Sequence, residues 1–92
     1  MIDFEWNPQK AEINRRKHGI SFDEAATVFE DTLSVTYPDL DYSEQEERYL
    51  IIGVSSQYQV LVISHTYRSE IIRIISARRA TKREQRFYEH GN

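Results

Sequence analysis

Residues 60–88, VLVISHTYRSEIIRIISARRATKREQRFY, constrain this chain more than any other stretch. Two apolar runs, 60–64 and 71–77, flank a polar break at 65–70. Short runs rich in Val and Ile and bounded by turn formers read as buried strands. The second run passes straight into an arginine-rich segment with helical character. The stretch therefore predicts a β-hairpin that delivers a basic helix to the edge of a sheet. Arg68 falls in the turn, Arg73 within the second strand, and Arg78 and Arg79 at its end. Lys82, Arg83 and Arg86 follow on the helix.

Charge is distributed unevenly. Residues 1–67 hold 5 Lys/Arg against 12 Asp/Glu, a balance of −7, whereas residues 68–92 hold 7 against 3, a balance of +4. The net charge of −3 alone argues against a polyanionic partner. The asymmetry argues for a dipolar molecule with one anion-binding face, against the plainer reading of a solvated basic helix. The 92 residues suffice for one domain, spanning 1–92, with a modest core. With no cysteine, no signal-like leader and no apolar run of membrane-spanning length, the cytoplasm is the expected compartment.

From the N-terminus, residues 2–6 alternate apolar Ile2, Phe4 and Trp6 with acidic Asp3 and Glu5, a half-buried strand. Asn7-Pro8 opens a helix, with the N-cap followed by Pro at the first helical position. That helix runs to about His18 and stops at Gly19. Ser21 and Glu24 read as a capping box opening a second helix to about Glu30, with Phe22, Ala25, Ala26 and Phe29 on its apolar face. Residues 33–37, 48–54, 60–66 and 71–78 read as strands of an antiparallel meander. The acidic 38–47 segment reads as an exposed loop. Thr81 and Glu84 form a second capping box. Arg79, Arg83 and Arg86 are spaced as a helical stripe. The fold class is α+β, in the order β-α-α-β-β-β-β-α.

The residues narrow the chemistry. His18, His65 and His90 are scattered without metal-ligand spacing, and Asp39, Asp41 and Glu44 lack the glycine and full spacing of a calcium loop, so no metal and no cofactor are expected. There is no cysteine and no Gly-x-Ser-x-Gly nucleophile elbow. Without a glycine-rich loop, phosphate binding falls to side chains, and guanidinium forks suit it. Arg73 interrupts an apolar strand, so it faces solvent, pairs with Glu70 or Glu5, or lines a groove. Arg78 and Arg79, adjacent on a strand, face opposite ways: one with Ile72, Ile74 and Ser76, the other with Arg73. His65 is either an acid–base group or a structural histidine at a strand end. Lys17 and His18 carry a similar choice between helix capping and a site role.

Several stretches together resemble the BrnT family, the toxin half of a bacterial type II toxin–antitoxin system. They are Phe4-Glu5-Trp6, Lys10, Asn14, Lys17-His18-Gly19, Ser21-Phe22, Ala25-Ala26, Phe29 and Asp31. Glu46-Glu47-Arg48, His65-Thr66, Arg68, the Ile72-to-Arg78 run RIISAR with its leading Ile, Ala80-Thr81 and Glu84 complete the set. One departure is Ser69, where Gly is expected after Arg68.

The resemblance implies a RelE-like toxin that cleaves RNA without metal and inhibits translation. It implies neutralisation by a BrnA-like ribbon-helix-helix antitoxin, with operator DNA bound only through that complex. On that basis Arg68 and Arg78 are assigned to the scissile phosphate, and Arg73, Arg79, Lys82 and Arg83 to flanking phosphates. Lys17 or His18 is assigned to proton transfer, with His65 as the alternative. Two competing readings are a non-catalytic binding module and a nucleic-acid-binding regulator, both using the basic C-terminal face.

Overall fold

The computed structural model describes residues 2–42 and 46–90. Glu44, the third member of the faint calcium-loop pattern, lies outside them. The elements follow the order read from the sequence: β1 (Asp3–Glu5), α1 (Pro8–His18), α2 (Phe22–Thr27), β2 (Val35–Pro38), β3 (Tyr49–Val54), β4 (Val60–Arg68), β5 (Ile71–Arg79) and α3 (Lys82–His90). Short 3₁₀ turns at Val28–Glu30 and Leu40–Tyr42 extend α2 and occupy part of the acidic segment.

Local chemistry sets the helix ends. The Asn7 side chain accepts from the Gln9 and Lys10 amides, at 2.8 and 3.2 Å, and caps α1. Gly19 ends α1 at φ 72°, a left-handed conformation that costs a residue without Cβ nothing. The Thr81–Glu84 box forms fully, with reciprocal bonds of 2.9 and 3.1 Å. The Ser21–Glu24 box forms only in half. Ser21 Oγ accepts the Glu24 amide at 3.0 Å, but the Glu24 carboxylate reaches Ser55 Oγ at 2.6 Å and Gln59 Nε2 at 2.8 Å. That buried carboxylate ties α2 to the β3–β4 turn.

The sheet order is β1-β5-β4-β3-β2. Strands β2 to β5 form the expected antiparallel meander, but β1 pairs with β5 in parallel, placing Glu5 beside Arg73. Alternation along the strands assigns two faces. Ile51, Leu61, Ile63, Ile74 and Ala77 pack with Ile20, Phe22, Ala25 and Val28 in the core beneath α1 and α2. Gly53 lies where the Val28–Glu30 turn comes closest. A Cβ there would meet Val28 Cγ1 at 3.0 Å and Asp31 Oδ2 at 3.1 Å.

Two side chains fasten helices to this sheet. Asn14, 6 % exposed, donates from Nδ2 to the Ala77 carbonyl at 2.9 Å and to the Ile20 carbonyl at 3.0 Å, and its Oδ1 accepts the Ala77 amide at 3.1 Å. It thus occupies the β5 edge beyond the end of β1, as a strand would. On the other face, Tyr88 donates to Asp31 Oδ2 at 2.5 Å and Phe87 meets the Tyr37 ring edge-on, so α3 is held over Ile52.

Register corrects three readings. Arg68 is the last residue of β4, opposite Ile71, rather than part of the turn; Ser69, with φ 57°, takes the left-handed turn position that glycine favours. Ser64 pairs with Ser76 but His65 with Ile74, so Ile75 is an extra, bulged residue in β5. Beyond it Ser76 and Arg78 share the face of Arg73, while Ala77 and Arg79 share the face of Ile74. Finally, Arg79 ends β5, so it is not part of an α3 stripe with Arg83 and Arg86.

Candidate phosphate-binding face

The face of the sheet opposite α1 and α2 carries a transverse row, Thr66–Arg73–Glu5, built by the β4–β5 and β5–β1 registers. Arg73 Nη1 donates to Glu5 Oε2 at 3.0 Å, and Arg68 Nη1 lies 3.8 Å from the same oxygen. The expected Glu5 pairing of Arg73 is therefore present, and it coexists with a groove position. Arg68 and Arg73 line a polar cavity of about 130 Å³ together with Asn7 and Lys10 at the start of α1, and with Glu46 and Arg48 before β3. Arg48 Nε bonds Glu46 Oε1 at 3.3 Å. Four cationic side chains from four separate segments converge here. Against Glu5 and Glu46 they leave an excess of two positive charges, which suits a phosphate group.

Arg78 occupies the same face but a different place. Arg68 stands opposite Ile71 and Arg78 opposite Val62, six residues apart along β4. At 3.3 Å per residue that is about 20 Å, too far for both to grip one phosphate. The shared assignment of Arg68 and Arg78 to a single phosphate is corrected by this spacing.

Arg78 is bidentate to Glu84, at 2.7 and 2.9 Å, beside Tyr37 and the start of α3. The two Arg78 donors, ahead of all other causes, hold the Glu84 carboxyl at about 2, below its ordinary 4.5. A lowered folded-state value stabilises the protein above pH 4.5, and this stabilisation disappears as pH falls from 4.5 towards 2. Because the Arg78 side chain is 40 % exposed, solvent screening reduces the contribution to about 1 kcal/mol. Glu84→Gln is expected to remove about that much at pH 7 and to flatten the acid side of the stability curve, measured by urea unfolding across pH 2–7.

The remaining sequence candidates lie elsewhere. Lys17 and His18 end α1, about 12 Å along its axis from Lys10. The His18 carbonyl accepts from Arg79 Nη1 at 3.0 Å, and Arg79 Nε donates to Gln59 Oε1 at 2.9 Å. These three residues thus form a basic corner on the helix side of the sheet. Lys82 and Arg83 are exposed on the first turn of α3, with Arg83 over the shallow apolar depression beside Phe87.

His65 is 0 % exposed among the rings of Phe29, Tyr49 and Tyr67. Its Nδ1 is 3.1 Å from the Ile63 carbonyl, and burial pushes its pKa below the ordinary value. Its Nε2 has no hydrogen-bond partner among the described residues. A neutral ring sealed on the opposite face of the sheet is out of reach of a phosphate at Arg73.

Lys10 and Arg48 are site residues that the sequence patterns do not single out, although both stand in the stretches that carry the family resemblance. Nothing in their local patterns announces that an early helix and the entry to β3 meet the β4–β5 hairpin.

A family model described as ribonuclease toxin, BrnT, of type II toxin–antitoxin system matches residues 6–84. No curated protein matches the chain. Among the described residues no helix is long and apolar enough to cross a membrane.

Proposed function

The chain belongs to the BrnT family of ribonuclease toxins of type II toxin–antitoxin systems, and from that premise we propose that residues 1–92 act as one metal-independent endoribonuclease domain with its site on the open face of the sheet. The observation that carries this reading is the convergence of Lys10, Arg48, Arg68 and Arg73 on one cavity. A transesterifying ribonuclease must stabilise a pentavalent phosphorane. Preorganised guanidinium donors do so without metal, at roughly 3 kcal/mol per well-placed donor.

The scissile phosphate sits against Arg68 and Arg73. Arg78, about 13 Å from Arg73 and about 20 Å from Arg68 along the strands, takes a phosphate further along a short single strand, in competition with Glu84. Lys82 and Arg83 extend that path, whereas Lys17, His18, Arg79 and His65 are left outside it. The activity inhibits translation in the cytoplasm. A BrnA-like ribbon-helix-helix antitoxin neutralises it, and operator DNA is bound only through that complex.

Purified protein is expected to cut single-stranded RNA, leaving 2′,3′-cyclic phosphate and 5′-hydroxyl ends, equally well with and without EDTA. Expression alone should arrest growth, and co-expression of the antitoxin should restore it. Salt-sensitive RNA binding without cleavage would instead favour a regulator. Complex formation without toxicity would favour a binding module.

A further inference from the structure

We infer that Glu5 is the general base of the reaction, a role that rests on the ribonuclease reading above. Its carboxylate lies 3.0 Å from Arg73 Nη1 and 3.8 Å from Arg68 Nη1, so a phosphate held by these arginines is brought against it. It is 35 % exposed at the side chain, open enough to meet a ribose hydroxyl. It also sits on a strand whose parallel register with β5 fixes its position relative to Arg73. The charged groups facing it are Arg73 from β5, Arg68 from β4 and, around the adjoining cavity, Lys10 from α1 with Arg48 and Glu46 from the segment before β3. Glu46, the other carboxylate there, belongs to that segment and is engaged by Arg48.

In the step, a Glu5 carboxylate oxygen removes the proton of the 2′-hydroxyl. The 2′-oxygen forms a bond to phosphorus as the bond from phosphorus to the 5′-oxygen breaks. The leaving 5′-oxygen takes a proton from the Lys10 ammonium, and solvent then returns the proton balance between Glu5 and Lys10. Arg68 and Arg73 hold the two non-bridging oxygens throughout. No oxidant, reductant or further reactant is consumed.

The test compares wild type, Glu5→Gln, Glu5→Asp and Glu46→Gln on an oligoribonucleotide, with binding measured separately on its uncleavable 2′-O-methyl analogue. Glu5→Gln should lower kcat by roughly 10²–10⁴-fold, the usual worth of a positioned base, while binding changes less than threefold. It should also abolish the acidic limb of the kcat/KM profile, and Glu5→Asp should recover part of kcat with that limb intact. A merely structural Glu5 would instead weaken binding and kcat together, and that result overturns the assignment. So does a Glu5→Gln enzyme with near-normal kcat, or an acidic limb that vanishes with Glu46→Gln and persists with Glu5→Gln; in both cases the ribonuclease reading stands. Wild-type protein that leaves RNA intact overturns both.

Discussion

Arg73→Ala is expected to lower kcat/KM for a single-stranded oligoribonucleotide by roughly 10²–10³-fold, the cost of deleting one donor aimed at developing oxyanion charge. Arg73 is the one cavity cation whose own position is paired on both sides, with Thr66 on β4 and with Glu5 on β1. Its side chain is only 27 % exposed and its guanidinium is already oriented by Glu5, so little reorganisation remains when a phosphate arrives. The stability cost should be small, about 1 kcal/mol or less, because the ion pair it loses is partly solvated. Arg73→Lys should recover little, since an ammonium keeps the charge and loses the planar fork. Steady-state kinetics, with circular dichroism as the control for folding, measure both quantities. Cleavage unchanged in Arg73→Ala would remove this residue, and the cavity, from the site.

The largest stability effect is expected at Asn14. Asn14→Ala leaves three buried backbone groups without their partner: the amide and carbonyl of Ala77 and the carbonyl of Ile20, in residues that are both 0 % exposed. With an unsatisfied buried group costing about 1–3 kcal/mol, a loss of about 3–5 kcal/mol follows. At about 4–8 °C per kcal/mol for a domain of this size, the melting temperature should fall by roughly 15–30 °C. Asn14→Asp is the sharper probe. It preserves shape and the acceptor for the Ala77 amide, but it turns a carboxylate oxygen towards two carbonyls. It should be no more stable than the alanine variant at pH 7 and should gain on it as the carboxyl protonates in acid. Thermal melts at pH 7 and pH 4 distinguish the two. Because Asn14 fixes α1 against β5, its loss should also disturb the placement of Lys10 at the cavity.

Much of the fold was legible because its signals are local. Asn7-Pro8, Gly19, Thr81 with Glu84, and the Val- and Ile-rich runs each act through neighbours a few residues away, and the element order follows from them. The parallel pairing of β1 with β5 joins residues nearly seventy positions apart, and no local pattern specifies it. That pairing is what brings Glu5 to Arg73, so the central ion pair of the face was visible only as one of two options. Arg48 and Lys10 escaped assignment for the same reason. Glu24 misled in the opposite sense: its spacing from Ser21 fits a capping box, but two partners on the β3–β4 turn, buried Ser55 and partly buried Gln59, outcompete a backbone amide for its carboxylate. His65 was read as either catalytic or structural, and total enclosure favours the structural role.

The extra residue at Ile75 works as a parity switch. In an uninterrupted strand Arg73 and Arg78, an odd number of positions apart, would project to opposite sides, and Arg79 would be the one sharing the side of Arg73. One inserted residue reverses that for everything downstream. Which of two neighbouring guanidinium groups joins the face of Arg73 is therefore decided by the length of the chain rather than by the identity of either side chain. A relative that lost a single residue at this point would exchange the cation on that face without any substitution at either arginine.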